Sequence, residues 1–251
     1  MATQAGVIRM KGRVGELSFF RSKKGYRVRK SEGIEGKRIK TDPSFERTRE
    51  NNAEFARAGK SAKLMRNALR SFIKKKADNE SSQRLVQLMT QIVRSDTTHG
   101  RGERVVLAQN LEPLRGFEFN AVAPLSETLF VEQSFTIDRQ SGALTLDLPA
   151  IAPSDDLMFA PGSTHARLVV IALEIDFDNG RYVTQSAKSE LIPDTVEQIP
   201  PTSLMASFTP NSNLPVIALV GVQFVQVIEN IEYPLKSGAS NALAVVEVDN
   251  V

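Results

Sequence analysis

The hydrophobic pattern of this 251-residue chain changes its period near residue 100, and this change constrains the fold more than any other feature. Before His99, apolar residues recur at steps of three and four, as on one face of an α-helix. They are Phe55, Ala58, Ala62, Met65, Leu69, Phe72 and Ile73. After Gly102, short runs with a period of two are separated by Gly, Pro, Asn and Asp, which is typical of β-strands. The sequence therefore predicts an α+β protein.

The β-rich part contains seven candidate strands. They lie at residues 128–138, 143–148, 166–177, 181–187, 204–208, 216–229 and 241–248. The clearest hairpin turns are at residues 139–142 and 178–180, the second because Asn-Gly accepts positive φ. Seven strands favour a β-sandwich of immunoglobulin-like outline, although the Cys and Trp of antibody domains are absent. We therefore expect an acidic β-sandwich domain at residues 116–251.

Residues 1–115 are expected to form a basic hairpin and helical module. A β-hairpin is predicted from strands at residues 14–20 and 26–29, with Gly25 in the turn between them. Alternation along the second strand places Tyr26 and Val28 on one face and Arg27 and Arg29 on the other. One face can therefore pack while the other stays charged.

Two helices are predicted to follow the hairpin. Asp42 and Pro43 are typical of an N-cap and a first helical residue, and this helix continues to about residue 76. Gly59 interrupts its helix propensity and indicates a kink or close packing. The three lysines at residues 74–76 are typical of a last turn, where cations offset the helix macrodipole. The second helix spans residues 82–93.

Charge is divided unevenly along the chain. Residues 1–120 contain 27 of the 32 Lys and Arg but 13 of the 29 Asp and Glu, a net charge of +14. Residues 121–251 contain the other 5 and 16, a net charge of −11. The basic part is therefore expected to bind an anionic surface, and the acidic part of the same molecule is one such surface.

The candidate interaction site is a run of nine cations within twenty residues. They are Arg21, Lys23, Lys24, Arg27, Arg29, Lys30, Lys37, Arg38 and Lys40. Phe19, Phe20 and Tyr26 accompany them, and cations beside aromatic rings can hold phosphates while the rings stack on bases. The alternative is that the aromatic residues form a core and the cations a solvated or protein-facing surface.

No convergent catalytic set is found in the sequence, and an enzyme is not expected. The segment Gly59-Lys60-Ser61 lacks the preceding glycine and strand of a phosphate-binding loop. Residues 176–180 begin like a calcium loop, but their spacing favours a hairpin turn. His165 is predicted to cap backbone groups in a loop, and His99 to be exposed in a linker. No metal, cofactor or small-molecule substrate is predicted.

Composition bounds the compartment and the stabilising chemistry. Cys is absent, so neither disulfides nor thiolate metal sites are available. The N-terminus lacks the apolar stretch of a secretory signal, and the longest apolar run, at residues 214–222, is too short to span a bilayer. We expect a cytoplasmic protein without membrane contact.

Four segments carry a resemblance to a known family. They are Lys11 to Phe20, Thr41 to Phe55, Gly116 to Asn120 and Pro161 to His165, and the Arg-Glu-Asn-Asn run at residues 49–52 is the most specific part. In these segments, across most of its length, the chain resembles a family of uncharacterised proteins from Bacteroidota. The resemblance implies a bacterial source. It implies no activity and identifies no functional residues.

Two function hypotheses follow. The first is a structural protein that self-assembles into a ring or filament, with the basic module of one copy contacting the acidic sandwich of the next. The second is a nucleic-acid-binding protein that uses the basic hairpin, with the sandwich as an oligomerisation or partner domain. Repulsion between phosphates and the acidic part favours the first. A third alternative is that the two parts pack on each other within one chain.

Overall fold

A computed structural model describes residues 2–6, 8–30, 34, 36–73, 78, 80–235 and 241–250. The fold is mixed α+β, and its strands pair antiparallel. The chain divides into two compact units, Met1–Glu50 and Asn51–Val251, called here the front unit and the rear unit. This division lies elsewhere than the predicted boundary between residues 115 and 116, which stays a prediction.

The front unit contains a four-stranded sheet with the order β1-β4-β3-β2, called here the front sheet. Its strands are β1 (Ala2–Thr3), β2 (Gly12–Val14), β3 (Leu17–Ser22) and β4 (Gly25–Lys30). The predicted hairpin is present as β3 and β4. The predicted strand at residues 14–20 is wrong at its start, because a turn with Gly15 at φ +55° separates β2 from β3. A short helix, α1 (Gly36–Thr41), follows the sheet.

Helices α2 (Glu46–Ala68), α3 (Arg70–Ile73) and α4 (Ser81–Arg94) come next. The carboxylate of Asp42 accepts a hydrogen bond from the Ser44 N–H and caps a 3-10 turn that leads directly into α2, which confirms the predicted helix start. The second predicted helix is confirmed as α4. The first ends its regular part at Ala68 and continues as α3, whereas residues 74–76 lie outside the described residues.

Nine further strands follow in the described residues of the rear unit. Strands β5 (Ser134–Asp138), β6 (Ala143–Leu148) and β10 (Thr202–Ser207) form a small sheet with the order β10-β6-β5. A large sheet contains β7 (His165–Asp176), β8 (Arg181–Lys188), β9 (Ile192–Pro193), β11 (Val216–Ile228), β12 (Ile231–Pro234) and β13 (Ala242–Asp249). Helix α5 (Pro153–Asp156) lies between β6 and β7 in sequence.

The large sheet is covered on both faces. On one face, Val169, Ile171 and Leu173 belong to the same apolar cluster as Met65 of α2 and Leu85 of α4. On the other, β7 and β11 share a second cluster with the small sheet. In a sheet with only one covered face, buried and exposed residues alternate along each strand. By contrast, β7 and β11 are buried along most of their length. The seven-stranded immunoglobulin-like sandwich is therefore not confirmed, since helices form a third layer.

Candidate interaction surface of the front unit

All nine predicted cations belong to the front unit. Arg21 lies on β3, Lys23 and Lys24 form the turn, Arg27, Arg29 and Lys30 lie on β4, and Lys37, Arg38 and Lys40 lie on α1. All are exposed except Arg27, which is half-buried. Residues 1–50 contain 14 Lys and Arg against 6 Asp and Glu, a net charge of +8. The front unit therefore carries an excess of positive charge.

Strand register separates the front sheet into two chemically different faces. Phe20 pairs with Arg27, and Ser18 with Arg29, so these four side chains share one face. Val14 pairs with Leu17, and Phe19 with Val28, so these share the other, called here the apolar face. This assignment confirms the predicted separation of Arg27 and Arg29 from Tyr26 and Val28. The apolar face also carries Arg21 and Lys30, one near each end.

No described residue of the front unit is buried. On the apolar face, Val14 is 62% and Leu17 is 43% exposed, and Phe19 and Tyr26 are half-buried, as is Phe20 on the opposite face. The alternative in which these aromatic residues form a buried core is therefore not supported within this unit, because all three are half-buried. Covering an exposed apolar sheet face with another surface is favourable. It lowers the free energy by about 25 cal/mol for each Å² of apolar surface removed from water.

Arginine guanidinium groups lie over three aromatic rings of the front unit. Arg9 and Arg21 lie 5.2 and 5.8 Å from the Tyr26 ring centroid. Arg29 lies 5.6 Å from that of Phe20, and Arg38 lies 5.7 Å from that of Phe45. These distances are within the range of cation–π attraction. The contacts hold the arginines in place and occupy ring surface that a stacked base would need.

Among the described residues, two of the nine cations have a carboxylate partner in the same unit. Lys30 Nζ lies 3.4 Å from Glu16 Oε2, and Arg38 Nε lies 3.0 Å from Asp42 Oδ2. Hydrogen bonds from the side chain and the backbone of Ser44, and then from Arg38, hold the pKa of Asp42 below its ordinary value. Exposed ion pairs of this kind contribute about 0–1 kcal/mol. Neither pair removes the charge excess of the unit.

Arg27 differs from the other eight cations. Its Nε is buried and has no hydrogen-bond acceptor among the described residues. Leaving a buried donor unpaired costs about 1–3 kcal/mol. A substitution of Arg27 would therefore change the stability of the front unit as well as its contact with a partner. The exposed turn residues Lys23 and Lys24 are cleaner positions for probing the surface.

The predicted turn at residues 176–180 is confirmed as the connection between β7 and β8. Asp176 Oδ1 accepts hydrogen bonds from the N–H groups of Asp178 and Asn179, and Gly180 has φ +66°. These bonds hold the pKa of Asp176 below its ordinary value, the backbone bond from Asn179 being the largest cause. Among the described residues, no cluster of three or more His, Asp or Glu could hold a metal ion.

The other candidate motifs take structural roles. Gly59-Lys60-Ser61 lies inside α2, where helical hydrogen bonds engage the backbone N–H groups that a phosphate would need. His165 was predicted to cap backbone groups in a loop, but it is the first residue of β7, and its Nδ1 lies 2.8 Å from the side-chain Oγ1 of Thr164.

His99 is exposed, as expected, and its Nδ1 lies 2.7 Å from the buried carboxylate of Asp96. Desolvation would raise the pKa of Asp96, but hydrogen bonds from Val105, Thr98 and His99 outweigh it and hold the pKa well below its ordinary value. The two residues therefore organise the loop after α4.

Sequence reasoning missed an exposed apolar surface in the rear unit. Val122, Phe130 and Met158 are large hydrophobic residues with high exposure, and they line one depression. The available signal was their position, since Val122 and Met158 lie outside the predicted strands. Apolar residues in loops next to acidic residues are candidates for contact surfaces.

Comparison of the chain with protein families, with curated proteins and with solved structures finds no match. Within the described part of the chain, no helix has the length and apolar character needed to cross a membrane.

Proposed function

We propose that this protein is a structural protein that self-assembles, with the front unit of one copy contacting the acidic surface of the rear unit of the next. The two units differ in charge: residues 1–50 have a net charge of +8, and residues 51–251, with 18 Lys and Arg against 23 Asp and Glu, have −5. Opposite charges steer two copies together and set their register.

The observation that carries the proposal is the open apolar face of the front sheet. None of the described residues of the front unit is buried, and Val14 and Leu17 keep much of their surface in water. Charge alone gives weak association at physiological ionic strength, because the Debye length is only about 8 Å. Apolar burial supplies the affinity that the charges lack.

The contact joins two different surfaces, so each copy has one of each. Such a heterologous contact closes into a ring when the rotation between copies allows it, and otherwise propagates as a filament. The predicted product is therefore a homo-oligomer in the form of a ring or a filament.

Nucleic-acid binding is supported less well. Guanidinium groups already lie over the rings of Phe20 and Tyr26, and the acidic rear unit repels phosphates. A protein that binds nucleic acid through the front unit would copurify with it and lose it steeply as salt rises.

The test is the mass of purified protein at low and high ionic strength, measured by light scattering before and after nuclease treatment. Large particles that are free of nucleic acid and dissociate at high salt support self-assembly. Absorbance at about 260 nm that nuclease removes supports the nucleic-acid alternative. A monomer at every ionic strength contradicts the proposal.

A charge-reversal pair locates the contact. Lys23→Glu with Lys24→Glu changes two exposed turn residues of the front unit, and Lys60→Glu with Lys63→Glu makes the same charge change on the exposed surface of α2. We expect the first variant to lose the particles and the second to retain them. Equal loss in both variants would indicate an effect of net charge alone.

A further inference from the structure

The depression noted above lies on the surface of the rear unit and has a volume of about 560 Å³. Val122 is 74%, Phe130 is 49% and Met158 is 60% exposed. Glu127 lines the same depression and is exposed. We call these four residues the acceptor patch.

Local backbone pairing explains why these apolar side chains face outward. Leu129 and Leu157 form an isolated antiparallel bridge, and both are buried in the core beneath the small sheet. The Phe130 N–H donates to the Asp156 carbonyl at 2.9 Å, and the Met158 N–H donates to the Thr128 carbonyl at 3.0 Å. Successive residues of an extended chain point to opposite sides. The residue after each buried leucine is therefore exposed.

The acceptor patch lies in an acidic part of the chain. Residues 116–166 contain seven Asp and Glu and one cation, Arg139, a net charge of −6. Both segments of the patch come from this part. An apolar surface with an acidic residue at its side matches a partner that has apolar residues beside cations.

We infer that the acceptor patch binds the apolar face of the front sheet of a second copy of this chain. That face has the matching composition: Val14 and Leu17 are exposed, and Arg21 and Lys30 lie on the same face. Val14 and Leu17 pack against Phe130 and Met158 in this contact, and the cations lie near Glu127. The inference rests on the proposed function, because it names the acidic surface that the front unit contacts.

The test is a double substitution in the patch with a matched control elsewhere in the rear unit. Met158→Ser with Glu127→Lys removes an exposed apolar side chain and reverses one charge. Met205→Ser with Glu197→Lys makes the same changes at a methionine that is 65% exposed on β10 and at an exposed glutamate. Because all four side chains are exposed, both variants keep the fold. Circular dichroism and thermal unfolding verify this.

Sedimentation velocity at low ionic strength measures the outcome. We expect association of the patch variant to be weaker by roughly tenfold or more, and association of the control to match that of the unmodified chain. Val122→Ser, a single change at the most exposed apolar residue of the patch, is expected to weaken association in the same direction.

The outcomes separate the two proposals. If the Lys23→Glu, Lys24→Glu variant loses association while the patch variants associate normally, the acceptor patch is overturned and self-assembly stands. If the unmodified chain is monomeric at every ionic strength, self-assembly fails and the acceptor patch fails with it. If the front unit binds the patch of its own chain, the sedimentation coefficient does not change with protein concentration. The assignment of the contact to a second copy is then wrong.

Discussion

Gly59 and Gly142 differ in what the surrounding structure requires of them. A Cβ added at Gly59, inside α2, would meet nothing within 4 Å. The close packing considered for Gly59 is therefore absent, and α2 continues through this residue from Glu46 to Ala68. Gly142 has φ +71° in the β5–β6 turn, and its Cβ would collide with the Phe208 carbonyl oxygen and lie 2.9 Å from the Pro210 nitrogen.

Gly59→Ala is therefore expected to raise the free energy of unfolding by about 0.5–1 kcal/mol, because it reduces backbone entropy in the unfolded chain and fits the helix. Gly142→Ala is expected to lower it by more than about 1 kcal/mol, because strain and a clash coincide. Urea unfolding monitored by circular dichroism measures both. Destabilisation by Gly59→Ala would show that α2 needs glycine there.

Glu118 is a carboxyl group that folding makes harder to ionise. Its Oε1 accepts a hydrogen bond from the Leu125 N–H at 3.0 Å, and its Oε2 is buried with no partner among the described residues. Desolvation raises the pKa of Glu118 from its ordinary 4.5 to about 7, against the opposing effects of the Leu125 bond and the Arg84 charge. At neutral pH the fold therefore carries a partly ionised, poorly solvated group.

The sign of the pH dependence follows from that raised pKa. Below about pH 4.5 the Glu118 carboxyl is protonated in both states, and between that value and pH 7 the unfolded chain ionises first, so stability falls as pH rises. Glu118→Gln has no such loss and is expected to be more stable than the unmodified chain by about 1–3 kcal/mol near pH 8. The difference is expected to shrink near pH 5. Urea unfolding of both proteins at the two pH values tests this, and a difference independent of pH contradicts it.

At the scale of elements, local chemistry made many boundaries predictable. Asp42 and Pro43 determine where the helix begins, and glycine conformation determines the turns at Gly142 and Gly180. The split at Gly15 was missed because Gly-Glu is a weaker turn signal than Asn-Gly. The cation run was visible in sequence because charge needs no tertiary information.

Features that depend on long-range packing were not predictable in the same way. The second covered face of the large sheet requires knowing that the apolar stripe of α2 meets β7 and β11. Continuous apolar runs in β7 and β11 were the available sign of burial on both faces. The open apolar face of the front sheet and the acceptor patch consist of apolar residues that the fold leaves exposed. Residue types alone do not give that information.

Arg139 joins the β5–β6 turn to the end of β13. Its Nε donates to Asp249 Oδ2 at 2.7 Å, and its terminal nitrogens donate to the carbonyls of Ser212, Leu214 and Asp249. One planar guanidinium thus connects three segments of the rear unit. Lysine cannot present donors in this fixed fork.

Arg139→Ala is expected to lower the free energy of unfolding by about 2–3 kcal/mol, because it leaves a carboxylate and carbonyl groups without their donor. Arg139→Lys is expected to recover less than half of this loss. Arg181→Ala, at an exposed position on β8, serves as the control and is expected to change stability by less than about 0.5 kcal/mol. If Arg139→Lys matches the unmodified chain in urea unfolding, charge rather than geometry accounts for the contact.

At the scale of the whole molecule, the two units are stabilised differently. The rear unit has apolar clusters on both faces of its large sheet, whereas the front unit has no buried residue among those described. The front unit carries an excess of cations and an open apolar face, and the rear unit carries the acceptor patch within residues 116–166, which have a net charge of −6. Self-assembly through these two surfaces is the central claim.

Mixing two defective variants tests this claim most directly. The Lys23→Glu, Lys24→Glu chain has an intact acceptor patch, and the Met158→Ser, Glu127→Lys chain has an intact front sheet. Each alone is expected to be monomeric by sedimentation velocity at low ionic strength. An equimolar mixture is expected to form dimers of one chain of each kind and nothing larger, because only one productive contact remains. A mixture that stays monomeric, while the unmodified chain assembles, would contradict the claim.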